Sequence, residues 1–235
     1  MTVTETNNVR VGLMIPSSNT MMEGDFQRGL PGHAQLHTAR MFMKDTTAAG
    51  EYRMLDEFAL PAARDLATVN PHAVVFGCTS AGALRGNAYD AELCQRISDI
   101  TGVATVSTIQ SVRSAIQASG ARRVAVITPY VDELNVKIKE SVEADGVEVS
   151  RIVGMDIADN FTIGQVTVDE IVAFAERSVL GLKVDLLFAS CTNYAALSAR
   201  EALQERLRLP VITSNQAVLA AAVAAVSDTA VHATA

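Results

Sequence analysis

Ala73-Val74-Val75-Phe76-Gly77-Cys78-Thr79-Ser80 is the stretch whose reading decides the fold. Its first four residues are apolar, partly β-branched and too few for a helix, so they read as a short buried strand. Gly77 and the small polar residues that follow are turn and helix-cap chemistry, which puts Cys78 at the strand's C-terminal edge. The same pattern returns as Leu186-Leu187-Phe188-Ala189-Ser190-Cys191-Thr192-Asn193, with its cysteine 113 positions further on. A second pair of landmarks keeps that offset. Val11-Gly12-Leu13-Met14-Ile15-Pro16 and Val124-Ala125-Val126-Ile127-Thr128-Pro129 are both apolar strands stopped by a proline, which cannot continue a central ladder. Two landmarks at one offset indicate an internal repeat, and a pseudo-twofold axis would turn Cys78 and Cys191 towards each other across a cleft.

Between these landmarks, strands alternate with helices. Strands are expected over Val9–Ile15, Ala34–Phe42, Pro71–Phe76, Val103–Val106, Val124–Ile127, Val147–Val153 and Val211–Ile212, besides the run ending at Cys191. Helices are expected after Asn19 and over Asp56–Ala67, Asp90–Thr101, Ile109–Ser119, Val131–Ala144, Val168–Val179, Ser198–Leu207 and Gln216–Val226. The expected fold is therefore α/β: two pseudo-symmetric flavodoxin-like lobes, each a parallel sheet with helices on both faces. The N-terminal lobe is expected over residues 1–113, completed by the C-terminal helix 216–228, and the C-terminal lobe over 114–215. In such sheets ligands sit beyond the carboxyl ends of the strands, where both cysteines fall.

Composition narrows the partners. A net charge of −7 argues against nucleic acid or an acidic membrane surface as partner, but not against a small anion held by local donors. Met1–Asn8 is polar, reads as a frayed tail and lacks the apolar centre of a signal peptide. No apolar run reaches the length of a membrane span. Three cysteines without close-spaced pairs fit free thiols in a reducing cytoplasm, and no metal-ligand spacing is present.

A thiol at a helix N-terminus feels the positive end of the backbone dipole, which favours thiolate, and the facing pair is expected to titrate as a unit with one thiolate and one thiol. The nearby hydroxyls of Thr79, Ser80 and Thr192, with free N–H groups, can hold a carboxylate. Two such thiols facing one carbon suit proton exchange next to a carboxylate, or addition of sulfur to an activated double bond. Cys94, with Leu93 and Ile97 on one helix, reads as core, and His33, His37, His72 and His232 as structural. Asn19 is either a helix cap or a cleft residue. Asn160 stands in a loop, and Tyr130 follows Pro129 at the position that the repeat equates with Ser17.

Together, Pro16-Ser17-Ser18-Asn19-Thr20, Gly77-Cys78-Thr79-Ser80, Thr128-Pro129-Tyr130, Asp159-Asn160 and Ser190-Cys191-Thr192-Asn193 resemble the aspartate/glutamate racemase superfamily. Within it, the chain looks like the maleate cis-trans isomerase and arylmalonate decarboxylase branch. The resemblance implies an active site between two lobes, no cofactor, no metal, a small carboxylate or dicarboxylate substrate, and a homodimer. By analogy, Cys78 would add to the double bond of a cis-diacid and Cys191 would supply and recover a proton. Asn19, Tyr130 and Asn160, with Thr79, Ser80, Thr192 and Asn193, would hold carboxylates. Arylmalonate decarboxylases carry glycine where Cys78 stands, so the retained pair disfavours decarboxylation. A two-cysteine racemase of an acidic amino acid is the alternative enzyme reading, and a non-catalytic carboxylate binder the alternative outside enzymes.

Overall fold

The apolar runs are strands, and the two halves of the chain pair them in the same order. The computed structural model describes residues 9–232, so the tail Met1–Asn8 and the side chain of His232 lie outside the described residues. Val9–Pro16 (β1), Ala34–Met41 (β2), Ala73–Phe76 (β3) and Thr105–Ser107 (β4) form a parallel sheet ordered β2-β1-β3-β4. Arg123–Thr128 (β5), Glu148–Gly154 (β6), Leu186–Ala189 (β7) and Val211–Thr213 (β8) form the second, ordered β6-β5-β7-β8. The register repeats as well: Val11 pairs with Ala73, and Val124 with Leu186, each residue 113 positions from its counterpart.

The helices are Met22–Gly29 (α1), Ala48–Arg53 (α2), Ala59–Ala67 (α3), Thr79–Leu84 (α4), Asn87–Thr101 (α5), Thr108–Ser119 (α6), Asp132–Glu143 (α7), Asn160–Ile163 (α8), Val168–Val179 (α9), Ala196–Leu207 (α10) and Ser214–His232 (α11). Both faces of the first sheet are covered, and its central strands show it by alternation. Met14, Val74 and Phe76 pack on the side of α3 and α5, while Val11, Leu13, Ile15, Ala73 and Val75 meet Phe26 of α1 and Val218, Ala222 and Val226 of α11. Each of these Val, Leu, Ile, Met and Phe side chains contributes roughly 1.5–3 kcal/mol by leaving water. The core of the first face runs on into the second sheet through Val124–Ile127 and Leu186–Ala189, so the two lobes share one continuous apolar interior. Helix α11 touches β1, β3 and β4 of the first sheet as well as β8 of the second.

Two expectations are corrected. The helix read from Asp56 begins at Ala48 and passes through a π-helical turn, Met54–Phe58, before α3. Its first turns were hidden by Gly50, a poor helix former, which is required there because a Cβ would collide with the Asp45 carbonyl oxygen. The loop through Asn160 contains the single turn α8, capped by the Asp159 side chain, which accepts from the Thr162 N–H at 2.7 Å. Four residues are too short to show a helical period. Elsewhere the differences are at element ends, such as α5 beginning at Asn87 and β4 at Thr105. Cys94 is buried beside Leu93 and Ile97, as core packing requires, and His72 accepts from the Arg10 N–H at 3.0 Å.

Candidate active site

The carboxyl ends of β1, β3, β5 and β7 converge on the seam between the lobes. Gly77 leaves β3 where a Cβ would lie 2.8 Å from the Met14 carbonyl oxygen, so only glycine lets these two strand ends approach. Cys78 follows in extended backbone, φ −144°, and α4 starts at the next residue. Cys191 occupies the matching place after β7 but breaks the symmetry. Its φ is +106°, a conformation that residues with a side chain rarely adopt, and α10 starts only at Ala196. That backbone is held from several directions. The Cys191 N–H donates to Ser214 Oγ at 3.1 Å, and the Asn193 N–H donates to the Cys191 sulfur at 3.3 Å. Ser214 Oγ also accepts from Thr79 Oγ1 at 2.9 Å, linking the two cysteine segments.

The strain makes a prediction. Cys191→Gly should be more stable than Cys191→Ala by about 1 kcal/mol in denaturant unfolding, because only glycine adopts this φ without cost. The opposite ranking would mean that the backbone relaxes once the sulfur is gone.

Side chains from both lobes knit the seam. Asn19 Oδ1 accepts from the Met21 and Met22 N–H groups at 3.0 Å, capping α1, while its Nδ2 donates to Thr192 Oγ1 at 3.1 Å. Asn19 thus sits at the start of α1 and at the seam at once. Thr192 Oγ1 donates on to the Gly77 carbonyl at 3.1 Å, and Asn193 Oδ1 accepts from the Thr20 N–H at 2.8 Å. Asn193 Nδ2 donates to the Asn160 carbonyl at 2.5 Å. Asn160 Nδ2 donates to Ser18 Oγ at 2.8 Å, and its Oδ1 accepts from Thr46 Oγ1 at 3.0 Å. Thr192 and Asn193 therefore brace the lobes in this state, and Asn19, Asn160 and Asn193 each keep one amide N–H beyond these bonds. Above them two loops clasp. The Thr46 N–H donates to the Ala158 carbonyl at 2.6 Å, the Asn160 N–H to the Lys44 carbonyl at 3.0 Å, and Asp45 bridges to Asp159. The site is shut: Cys78 is 4% and Cys191 5% exposed, and Tyr130 and Ser80 are buried with them.

Burial reverses the expected thiol chemistry. The Cys78 thiol is pushed well above the ordinary cysteine range, first by desolvation and then by the neighbouring Glu51 charge; the Ala81 N–H and Ser80 offset only part. Cys191 is pushed up to about 12 by desolvation, against the lowering effect of the Tyr130 hydroxyl and the Asn193 N–H. Tyr130 is likewise raised by burial and by both sulfurs, so its hydroxyl stays a donor. At rest both sulfurs are thiols. The helix dipole does not prevail because α4 has only six residues, no helix directly follows Cys191, and desolvation outweighs a dipole.

Glu51 is the residue that sequence reasoning missed. It lies on α2, is fully buried, accepts a hydrogen bond from Ser80 Oγ through Oε1, and has no hydrogen-bond partner at Oε2. Desolvation raises its carboxyl to about 8, and its charge bears on Cys78, Cys191 and Tyr130. A glutamate near Gly50 reads as a surface residue, and Thr47 is followed at the third position by glycine rather than the glutamate of a capping box. Ser214 was also missed, since a serine opening a helix reads as an ordinary cap.

A sequence model of the arylmalonate decarboxylase family matches residues 11–235. The chain belongs to that family. Curated relatives include a maleate isomerase from Geobacillus stearothermophilus, 25% identical over 87% of this chain and 86% of that one. An arylmalonate decarboxylase from Bordetella bronchiseptica is 25% identical over 88% of this chain and 86% of that one. Among solved structures, a maleate isomerase from a Pseudomonas putida strain superimposes with a TM-score of 0.87, at 25% identity and 93% coverage of each chain. A Nocardia farcinica maleate cis-trans isomerase mutant with a covalently bound succinylcysteine intermediate superimposes with a TM-score of 0.84, at 23% identity and 93% coverage of each. By these relatives the chain is an isomerase-type enzyme of the family. Among the described residues, no helix is long and apolar enough to cross a membrane, and no group of three or more His, Cys, Asp or Glu could hold a metal.

Proposed function

We propose that the protein converts maleate, or a similar small unsaturated diacid, from the cis to the trans form through a covalent adduct at Cys78, with Cys191 as acid and base. The observation that carries this reading is the burial of two sulfurs, one from each lobe, in a single closed seam lined by Asn19, Tyr130 and Asn160. The spare amide N–H groups of Asn19 and Asn160 suit two carboxylates, and the Tyr130 hydroxyl is a permanent donor beside Cys191. Sulfur adds to one alkene carbon, and the π pair moves to the other, where the adjoining carboxylate takes up the charge. Protonation from Cys191 completes the adduct. Rotation about the new single bond, return of the proton to Cys191 and expulsion of the sulfur then release the trans-diacid. No cofactor is required at any step. The covalent succinylcysteine seen in the Nocardia relative supports the same route here. We infer a cytoplasmic homodimer on the same family grounds.

Proton NMR with maleate in deuterated buffer tests the reading, the expected result being fumarate signals that grow as maleate falls. Unchanged maleate, with washout of α-protons from an acidic amino acid added to the same tube, would replace it with racemisation.

A further inference from the structure

We propose that Glu51 is the proton acceptor for Cys78, reached through the Ser80 hydroxyl. This deepens the reading above, since it takes Cys78 as the nucleophile. Three observations converge. Cys78 Sγ lies 3.9 Å from Ser80 Oγ, within hydrogen-bonding range for sulfur, and Ser80 Oγ in turn donates to Glu51 Oε1, so an unbroken path joins thiol to carboxylate. Every member of the path is buried, which removes bulk water as the alternative acceptor. Glu51 also keeps Oε2 without a partner, a costly arrangement for a residue that only pins α4 to α2. A glutamine would hold Ser80 equally well without an ionisable group. The π-helical turn begins three residues after Glu51, a distortion frequently found at functional sites.

A preformed thiolate is disfavoured here by desolvation and by Glu51 itself, so the proton leaves as the carbon–sulfur bond forms. Ser80 passes its hydroxyl proton to Glu51 Oε1 and takes the thiol proton. The S–H bond breaks, the sulfur uses its electron pair to bond carbon, and the alkene pair moves to the neighbouring carbon. On release the sulfur departs with its pair and regains the proton from Glu51 by the same path. The titratable groups facing Glu51 are Cys78, Cys191, Tyr130 and, from the start of α7, Glu133. None is a cation that would hold Glu51 permanently ionised. A carboxyl near 8 can therefore take up and return a proton around neutral pH.

The test uses N-ethylmaleimide, an activated cis-alkene, so it needs no turnover of maleate and its outcome is separate from that of the NMR experiment. The rate of Cys78 modification is followed by peptide mass spectrometry from pH 6 to 10 in the parent, Glu51→Gln and Ser80→Ala, with Cys191 in the same digest reporting access. The parent rate should rise with pH and level off near pH 8. Glu51→Gln and Ser80→Ala should be slower at Cys78 by roughly 10²-fold at pH 8, and Glu51→Gln should still be climbing at pH 10. Cys191 should change by no more than about twofold, the range of unspecific context effects. An equal or faster reaction of Cys78 in Glu51→Gln overturns the proposal, because removing a mere negative neighbour frees the thiolate. Equal slowing at both cysteines also overturns it, since that reports a change in access.

Discussion

Cys78→Ala should show no conversion of maleate above background, a loss of roughly 10³-fold or more, while Cys191→Ala should fail differently. Without the Cys78 sulfur the adduct of the proposed route cannot form, and Cys191 cannot serve as nucleophile and as acid and base at once. The Ser80 hydroxyl lies 3.9 Å from the Cys78 sulfur, but it is committed to Glu51. Without Cys191 the sulfur of Cys78 can still add, and the resulting carbanion takes its proton from water that enters with the substrate. It then lacks a base placed to take that proton back. Cys191→Ala incubated with maleate should therefore gain the mass of one diacid at the Cys78 peptide while releasing little fumarate. Adduct on Cys191 in the Cys78 variant, or none in either, would exchange or remove the roles assigned to the two thiols. A Cys78→Ser control separates chemistry from packing, because serine keeps the volume and loses the nucleophile.

The second large effect is on stability. Glu51 is more basic folded than unfolded, about 8 against an ordinary 4.5, so the fold prefers its protonated form. The sign follows from linkage. Stability from this group is fully present below about pH 4.5, is lost progressively as pH rises towards 8, and stays lost above it. Each pH unit of that interval is worth about 1.4 kcal/mol, so Glu51→Gln should be more stable than the parent by on the order of 4 kcal/mol at pH 9. At roughly 2–4 °C per kcal/mol for a chain of this size, the midpoint of thermal unfolding should rise by about 10 °C at pH 9. At pH 5 the two should nearly coincide. Asp90, also raised by burial, to about 6, destabilises both proteins alike over its own lower window and cancels in the comparison. A pH-independent difference between parent and variant would show that Glu51 is not titrating in the fold. Together with the maleimide rates, this describes a residue that costs stability where it serves reactivity.

The architecture was legible because this fold writes itself in short, bounded apolar runs. The central strands of a parallel sheet covered on both faces are apolar almost throughout. Pro16, Pro129, Gly77 and the residues after the cysteines mark where each run stops, so the 113-residue repeat and the paired sulfurs could be read directly. Asn19, Tyr130 and Asn160 could be singled out only beside the cysteines, and the fold does gather them at one seam. What the sequence withheld depends on depth and direction. The basicity of the thiols is set by removal from water and by Glu51, which approaches from a helix 27 positions upstream of Cys78. The bracing of Thr192 and Asn193 depends on how the lobes meet. The φ of Cys191 leaves no trace in a cysteine code where glycine would have announced it.

The clasp of Lys44–Thr46 on Ala158–Asn160 has a chemical consequence beyond holding the lobes together. Addition of sulfur to an unsaturated diacid makes an intermediate that free solvent would divert, by quenching the carbanion for good or by delivering hydroxide to the alkene. On the proposed route, a seam closed to solvent would leave the carbanion only a proton that can be recovered. On that route the cross-lobe hydrogen bonds would act as a guard on product identity: the fewer water molecules admitted between entry and exit, the smaller the share of substrate lost to hydration.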